Sequence, residues 1–207
     1  MRISLTLVAL LGMSTLALRP LFIQPAVRAG TALRMDVDEL VDSAALVVEG
    51  RILSATGIET ESGMIETEYR MQVDHTYEGV DAVELTLRLP GGVLEDGRGL
   101  ILVGLPRLEV GEETLLFLTD PSANGVRMPV GLSQGHYRIL RYLDGSRVAV
   151  REQGELGLMD PLSGRVFEAN SRHVRNYAEL IAEVEAAVAR EISMGPRSGV
   201  SSVSEGE

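Results

Sequence analysis

Apolar and polar residues alternate along the segment Ile65–Glu78, with few exceptions. One predicted face carries mainly apolar and aromatic residues: Ile65, Thr67, Tyr69, Met71, Val73, His75 and Tyr77. The other face is mostly charged: Glu66, Glu68, Arg70, Gln72, Asp74, Thr76 and Glu78. Successive side chains of a strand point to opposite sides, so this period predicts one long strand with a buried side and a solvated side. Such a strand favours a curled antiparallel sheet in the middle of the chain.

Other segments show strand patterns as well. Residues 46–55 are rich in β-forming side chains, and Gly50 within them predicts a bulge or bend. Residues 83–89 alternate between leucine or valine and polar side chains, which predicts a half-buried strand. Residues 114–119 are almost continuously apolar, which is typical of a strand buried on both faces. Residues 136–143 predict a further strand.

A helix is predicted on each side of these strands. Asp36 and Glu39 have the spacing of a capping box and predict a short helix that begins there. From residue 171 to residue 192 the apolar period changes to 3.6, which predicts a longer helix with Ser171 as its N-cap. We therefore predict an α+β fold, mainly antiparallel β: a small, partly open, five-stranded OB-like barrel with a short N-terminal and a longer C-terminal helix.

Four regions follow from this reading. Residues 1–29 combine a short basic start, an uncharged apolar run and a plausible cleavage site, which predicts a signal peptide. Residues 30–170 form the predicted barrel domain, residues 171–193 the helix packed on it, and residues 194–207 a disordered tail. We expect a secreted or periplasmic protein without a stable membrane span after cleavage. The alternative is that the N-terminal segment remains as an uncleaved anchor.

Composition narrows the possible functions. The chain has no cysteine, which excludes disulfides, thiolate metal sites and a cysteine nucleophile. Its formal net charge is −11, and without residues 1–29 it is about −14. An acidic protein is repelled by nucleic acid and by anionic lipid, so neither is an expected partner. All basic residues are arginine, which we attribute to a GC-rich genome rather than to a function.

No assembled catalytic or metal site is evident in the sequence. No two of His75, His136 and His173 have metal-ligand spacing, so we expect no metal and no cofactor. His75 is interpreted as a partly buried structural residue. Residues 131–135 match the G-x-S-x-G spacing of a nucleophile elbow around Ser133. That motif requires a helix after the serine, and a strand is predicted here, so a plain loop is the preferred interpretation.

Two loops are the candidate binding surfaces, the glycine-rich residues 91–99, expected to be mobile, and residues 131–136. The candidate binding residues are Gly91, Gly92, Arg98, Gln134 and His136. The apolar run at residues 100–108 has two open interpretations. It is either a core strand or an exposed apolar patch for a partner.

Several spaced motifs resemble a known family. They are Ala44-Ala-Leu-Val-Val-Glu-Gly50-Arg, Tyr77-Glu-Gly79, Pro90-Gly-Gly92, Gly104-Leu-Pro106, Val110-Gly-Glu-Glu-Thr-Leu-Leu-Phe-Leu118 and Val130-Gly-Leu-Ser-Gln-Gly-His-Tyr-Arg138. Over residues 44–142 the chain is similar to an uncharacterised family of exported bacterial proteins, whose members often occur beside matrixin-type secreted metalloproteases. The order of elements also resembles the OB domain of tissue inhibitors of metalloproteinases and the netrin module. Those inhibitors chelate zinc through an N-terminal cysteine, which this chain lacks, so the resemblance does not imply that mechanism.

Three functions remain open. The leading hypothesis is an exported, non-catalytic binding module that modulates a secreted protease or binds another extracytoplasmic partner. The second is a hydrolase with His136 as base, Asp96 or Glu95 as its acidic neighbour and Ser133 as nucleophile. The third is an envelope structural protein without a ligand, which a fully buried run at residues 100–105 would favour.

Overall fold

The computed structural model describes residues 31–154, 157–167 and 172–194. The predicted signal peptide, the predicted N-cap Ser171 and residues 195–207 of the predicted tail lie outside the described residues. The elements follow the chain in this order: β1 Thr31–Leu33, α1 Val37–Asp42, β2 Leu46–Glu59, β3 Ile65–Glu78, β4 Glu84–Pro90, β5 Gly92–Val93, β6 Gly99–Leu100, β7 Glu113–Leu118, β8 His136–Arg141, β9 Arg147–Glu152, β10 Gly157–Met159, β11 Val166–Phe167, β12 Arg172–Asn176 and α2 Tyr177–Met194.

Most strands join one antiparallel sheet in the order β12-β9-β8-β7-β2-β3-β4. The predicted α+β class with a mainly antiparallel sheet and two unequal helices is confirmed. The sheet has seven strands where five were expected, and it is not closed, because β12 and β4 lie at its two edges. Strand β1 forms a second, small sheet with β10 and β11, and β5 pairs with β6 as a short hairpin.

The central strand β7 sends apolar side chains to both faces, as the continuous apolar pattern predicts. Leu115 and Phe117 belong to a first core cluster, which lies under the helices and includes Leu40, Leu180 and Val184. Leu116 and Leu118 belong to a second cluster on the other face, which the helices do not reach. The second cluster also contains Ile52, Tyr69, Met71, Leu87, Leu89 and Leu108. One sheet therefore separates two cores.

The pairing of β2 with β3 is irregular at Gly50, where the sequence predicts a bulge. Gly50 pairs with Val73 and Glu49 pairs with His75, so Asp74 is passed over in the register. Such a bulge increases the local twist and bends the strand. Val73 packs against the second core cluster and Tyr77 against the first, so the single buried face predicted for this strand ends at the bulge, and His75 is exposed. The prediction of a partly buried His75 is therefore wrong.

The helices confirm one predicted start and correct the other. The Asp36 side chain accepts a bond from the Glu39 amide and the Glu39 side chain accepts one from the Asp36 amide, which is the predicted capping box. The longer helix begins at Tyr177 rather than near residue 171. Residues 172–176 instead form β12, because they pair with β9 along the edge of the sheet.

A buried carboxylate ties helix α2 to the sheet. Glu49 is 5% exposed on the helix-covered face and accepts hydrogen bonds from the hydroxyls of Tyr77 at 3.0 Å and Tyr177 at 2.8 Å. Arg147 lies 3.5 Å from the same carboxylate and stacks on the Tyr177 ring. Burial, followed by the charge of Glu49, raises the pKa of the Tyr77 phenol, so this hydroxyl stays a donor. The cluster holds the first turn of α2 in place.

Gly50 offers a test of the close pairing of β2 with β3. An alanine Cβ there would lie 2.0 Å from the carbonyl oxygen of Gln72, a backbone atom that cannot move without breaking the β2–β3 pairing. We expect Gly50→Ala to lower the free energy of unfolding by about 3 kcal/mol, measured by urea denaturation. The control Gly97→Ala has open space and a positive φ of 86°, so it should cost about 1 kcal/mol. A smaller loss for Gly50→Ala than for Gly97→Ala would contradict the close approach of β3 to Gly50.

Candidate functional site

The chain between β6 and β7, which we call the 101–112 segment, contains neither helix nor strand and is anchored to the second core face. Its Leu108 is 3% exposed and belongs to the second core cluster. Its last turn is bound to β2 by two backbone hydrogen bonds. The Gly111 amide donates to the Ile52 carbonyl at 2.8 Å, and the Ile52 amide donates to the Glu112 carbonyl at 2.9 Å. The segment is thus an irregular but fixed cover over part of the second core.

A buried ionic cluster fastens the same segment to β8. Glu112 Oε1 lies 2.7 Å from His136 Nε2, and the Glu112 side chain is 3% exposed. Its other oxygen accepts a hydrogen bond from the Glu109 amide at 3.1 Å and faces the Arg138 guanidinium at 3.3 Å. Both carboxylate oxygens therefore have partners, which is the condition for burying such a charge at acceptable cost.

The charge state of Glu112 follows from these contacts. Burial acts to raise the pKa of this carboxyl, but the hydrogen bond and charge of His136, the Glu109 amide and Arg138 together outweigh it. The net effect is a pKa below the ordinary value of 4.5. A carboxyl with a lowered pKa in the folded state stabilises the fold at pH values above its unfolded pKa. That contribution is lost as the pH falls through the lowered pKa.

Two grooves lie on either side of the stretch at residues 104–107. The first has a volume of about 100 Å³, and its walls include Tyr69, Leu89 and Leu102. The second has a volume of about 280 Å³ and is lined by polar and apolar side chains, including Ser133, His136, Arg138, Glu152 and Val150. Leu105, Pro106 and Arg107 line both grooves. The stretch at residues 104–107 is therefore a ridge between two concave surfaces.

The structure decides between the two interpretations of the apolar run at residues 100–108, a core strand or an exposed apolar patch: each applies to part of the run. Leu108 is a core residue, whereas Ile101 is 80% exposed and Val103 is 40% exposed. Arg107 is exposed between the two grooves. The sequence identified the run as unusual, but its periodicity could not show which members face solvent, because the segment has no regular secondary structure.

The two candidate glycines lie in the first groove. Gly91 has a φ of 87° and accepts a hydrogen bond from the Thr67 hydroxyl at 2.7 Å. Gly92 has a φ of 140°, and a Cβ there would lie 2.0 Å from Thr67 Oγ1. Close packing of the β5 strand against β3 therefore requires both glycines. Both glycines form part of the groove wall. A ligand in this groove would contact their backbone, and they offer it no side-chain functional group.

Arg98 lies in the β5–β6 hairpin, away from the lining of the two grooves. Its guanidinium donates to both oxygens of Glu59, at 2.9 and 2.7 Å, and to Asp96 at 2.8 Å. The side-chain hydrogen bonds from Arg98 lower the pKa values of Glu59 and Asp96. The loop that was expected to be mobile is thus a hairpin held to the end of β2 by an ion pair. The guanidinium of Arg98 already binds two carboxylates of the same chain.

Gln134 is fully buried and has a structural role. It lies in a short 3-10 helix, Leu132–Gly135, just before β8. Its amide oxygen accepts a hydrogen bond from the Met35 amide at 2.9 Å, and its amide nitrogen donates to the Leu33 carbonyl at 2.8 Å. These bonds hold the segment between β1 and α1. Gln134 therefore positions the chain beside the second groove but does not face a ligand itself.

The residues of the hydrolase hypothesis are not arranged as it requires. Ser133 is 4% exposed and its hydroxyl donates to the Gln153 carbonyl at 3.3 Å. His136 pairs with Glu112, not with Asp96, which is bound to Arg98. Ser133 and His136 do line the same groove, but Ser133 lies in the short 3-10 helix, which ends at Gly135 and leads into β8, whereas a nucleophile elbow needs a helix that begins after the serine. Sequence analysis identified His136 as a candidate residue but did not predict Glu112 as its partner.

Comparisons with known proteins identify no relative. No protein-family model, no curated protein and no solved structure matches the chain. The resemblance to an exported bacterial family and to metalloproteinase inhibitors therefore stays a prediction.

Two searches of the described residues complete the description of the site. No group of three or more histidine, cysteine, aspartate or glutamate side chains within them could hold a metal ion. None of the described helices has the length and apolar character needed to cross a membrane.

The Glu112 cluster predicts a specific pH dependence of stability. At pH 6 we expect Glu112→Gln to lower the free energy of unfolding by about 3 kcal/mol, because it breaks a buried charge cluster. The difference from the wild type should shrink as the pH falls from 4.5 toward the lowered pKa of the folded carboxyl, and it should be lost below that pKa, where the wild-type carboxyl is protonated as well. Urea denaturation between pH 6 and pH 3 measures both effects.

The control for this experiment is Glu95→Gln, at an exposed glutamate whose side chain makes no hydrogen bond to the described residues. It should follow the wild type at every pH. A Glu112→Gln deficit of equal size at pH 6 and pH 3, or no deficit at pH 6, would show that Glu112 does not act through its charge.

Proposed function

We propose that this chain is an exported, non-catalytic binding module that holds a partner protein against the 101–112 segment. The partner is a secreted protease or another extracytoplasmic protein. The observation that carries the proposal is Ile101, an apolar side chain that is 80% exposed on a segment whose other end is anchored through Leu108 and Glu112.

A fixed backbone is what makes this exposure informative. Single exposed apolar residues are common and need no explanation. Here Ile101 and the exposed Arg107 both line a groove of about 100 Å³, so apolar, concave and charged surfaces are adjacent. A surface that is already ordered loses less conformational entropy on binding than a flexible loop. This combination favours recognition of a partner over a passive surface.

The hydrolase remains the second candidate, because His136 and Glu112 form a short pair of 2.7 Å and Ser133 lines the same groove. Its weakness is that the groups are already engaged. A general base must reach the proton it removes, directly or through one water. His136 Nε2 faces Glu112 and the Ser133 hydroxyl faces Gln153, so catalysis would require both bonds to be exchanged.

An envelope structural protein without a ligand is less well supported. That hypothesis expects the apolar run at residues 100–105 to be buried in the fold. The exposure of Ile101 and Val103 does not fit it. Hydration of exposed apolar side chains is unfavourable, and a protein without a partner gains nothing from that exposure.

The test is a capture experiment with the exported protein. The full chain is expressed in the native organism with a C-terminal tag, recovered from the periplasm or the medium, and analysed for co-purifying proteins by quantitative mass spectrometry. We expect one partner to be recovered with the wild type. Recovery should fall about tenfold or more with Ile101→Asp, because a charge would replace an apolar contact at the centre of the surface.

The control is Leu143→Asp, the same change at an exposed leucine in the β8–β9 turn. It should capture the partner as well as the wild type does. A protein that stays in the cytoplasm, or a partner that Ile101→Asp retains at the wild-type level, would contradict the proposal.

A further inference from the structure

We infer that the ridge at residues 104–107 binds an extended, acidic segment of the partner, in which an aliphatic side chain lies next to a carboxylate. The inference rests on the proposed binding function and specifies the chemistry of the partner. It is carried by the free guanidinium of Arg107 at the rim of a small apolar groove.

Arg107 combines two properties: it lines the first groove, and it is not paired with a carboxylate of the described residues. Ten described arginines lie within 4.0 Å of a carboxylate of this same chain: Arg51, Arg70, Arg88, Arg98, Arg138, Arg141, Arg147, Arg172, Arg175 and Arg190. Arg107 has no such carboxylate among the described residues, although the protein carries an excess of acidic groups. An exposed guanidinium left unpaired in an acidic protein is available to a carboxylate from outside.

The acidic residues beside the ridge do not supply that carboxylate. Glu109 faces Arg138 at 3.5 Å, and Glu152 faces Arg172 at 3.9 Å. The buried Glu112 is already bound by His136 and by Arg138. A basic segment on the ridge would place its own cation against Arg107, so local charge complementarity favours an acidic occupant.

The first groove specifies the neighbouring side chain. Its volume is about 100 Å³, below the 300–1,000 Å³ typical of sites for small molecules. Its walls are largely apolar and include Tyr69, Leu89 and Leu102. One aliphatic side chain is the occupant that matches this size and polarity. Arg107 lines the same groove, so the carboxylate would be adjacent to that side chain along the chain of the partner.

The second groove indicates that the occupant is a chain segment rather than a single group. Leu105, Pro106 and Arg107 line both grooves, so a ligand that fills both must cross the ridge. An extended peptide alternates its side chains and can place neighbouring residues on both sides of such a ridge. A compact small molecule of the size of the first groove could not reach across it.

The experiment is a selection of random dodecapeptides, displayed on phage, against the full chain at neutral pH. We expect enrichment of aspartate or glutamate next to leucine, isoleucine or valine. A synthetic peptide made to the selected sequence should lose affinity about tenfold with Arg107→Glu, because the reversed charge repels the carboxylate. Arg165→Glu is the matched control, since Arg165 is also exposed and has no carboxylate partner among the described residues, and it should leave affinity unchanged.

Charge reversal at Arg107 is a sharper test than a change in salt concentration. The net charge of −11 repels an acidic ligand at long range while Arg107 attracts it locally, and salt screens both effects. Circular dichroism confirms that both variants are folded. Failure to enrich any peptide, enrichment without acidic residues, or equal affinity for Arg107→Glu would overturn the inference. The proposed function would survive that result if Ile101→Asp still abolished capture of the natural partner.

Discussion

The structure depends on covering a sheet that is apolar on both faces. The central strand β7 contributes Leu115 and Phe117 to one core and Leu116 and Leu118 to the other. Both helices cover the first face, and neither contributes to the second. The second face is built from side chains of β2, β3, β4 and β7, and the 101–112 segment adds Leu108 to it. Exposing that face to water would forfeit the hydrophobic stabilisation of half the fold.

This constraint links the cover to the candidate site. A segment without regular structure can remain over a core only if its polar groups find fixed partners. The Glu112 carboxylate, with His136 and Arg138, and the backbone bonds between Ile52 and the last turn supply them. The same anchoring leaves Ile101 and Arg107 outside the core at defined positions. The surface we propose for binding is therefore a consequence of how the second core is closed.

Local patterns predicted most of the fold, because they reflect local constraints. The alternation of Ile65–Glu78 matches β3, the continuous apolar run marks the central strand, and the capping box at Asp36 begins α1. What sequence reasoning missed depends on distant partners. Residues 172–176 form a strand rather than the predicted start of a helix, because they pair with β9. The partner of His136 is Glu112, 24 positions earlier, and no spacing rule connects the two.

The most direct test of the account is native-state hydrogen exchange at the amides of Ile52, Gly111 and Ser133, which bind the 101–112 segment to β2 and to the 3-10 helix. If this segment is a fixed cover, these amides should be protected to the same degree as those of the central strand Glu113–Leu118 and exchange only through global unfolding. Exchange of the Gly111 and Ser133 amides at the rate of an unstructured chain, with the central strand still protected, would show that the second core needs no such cover and would contradict the account.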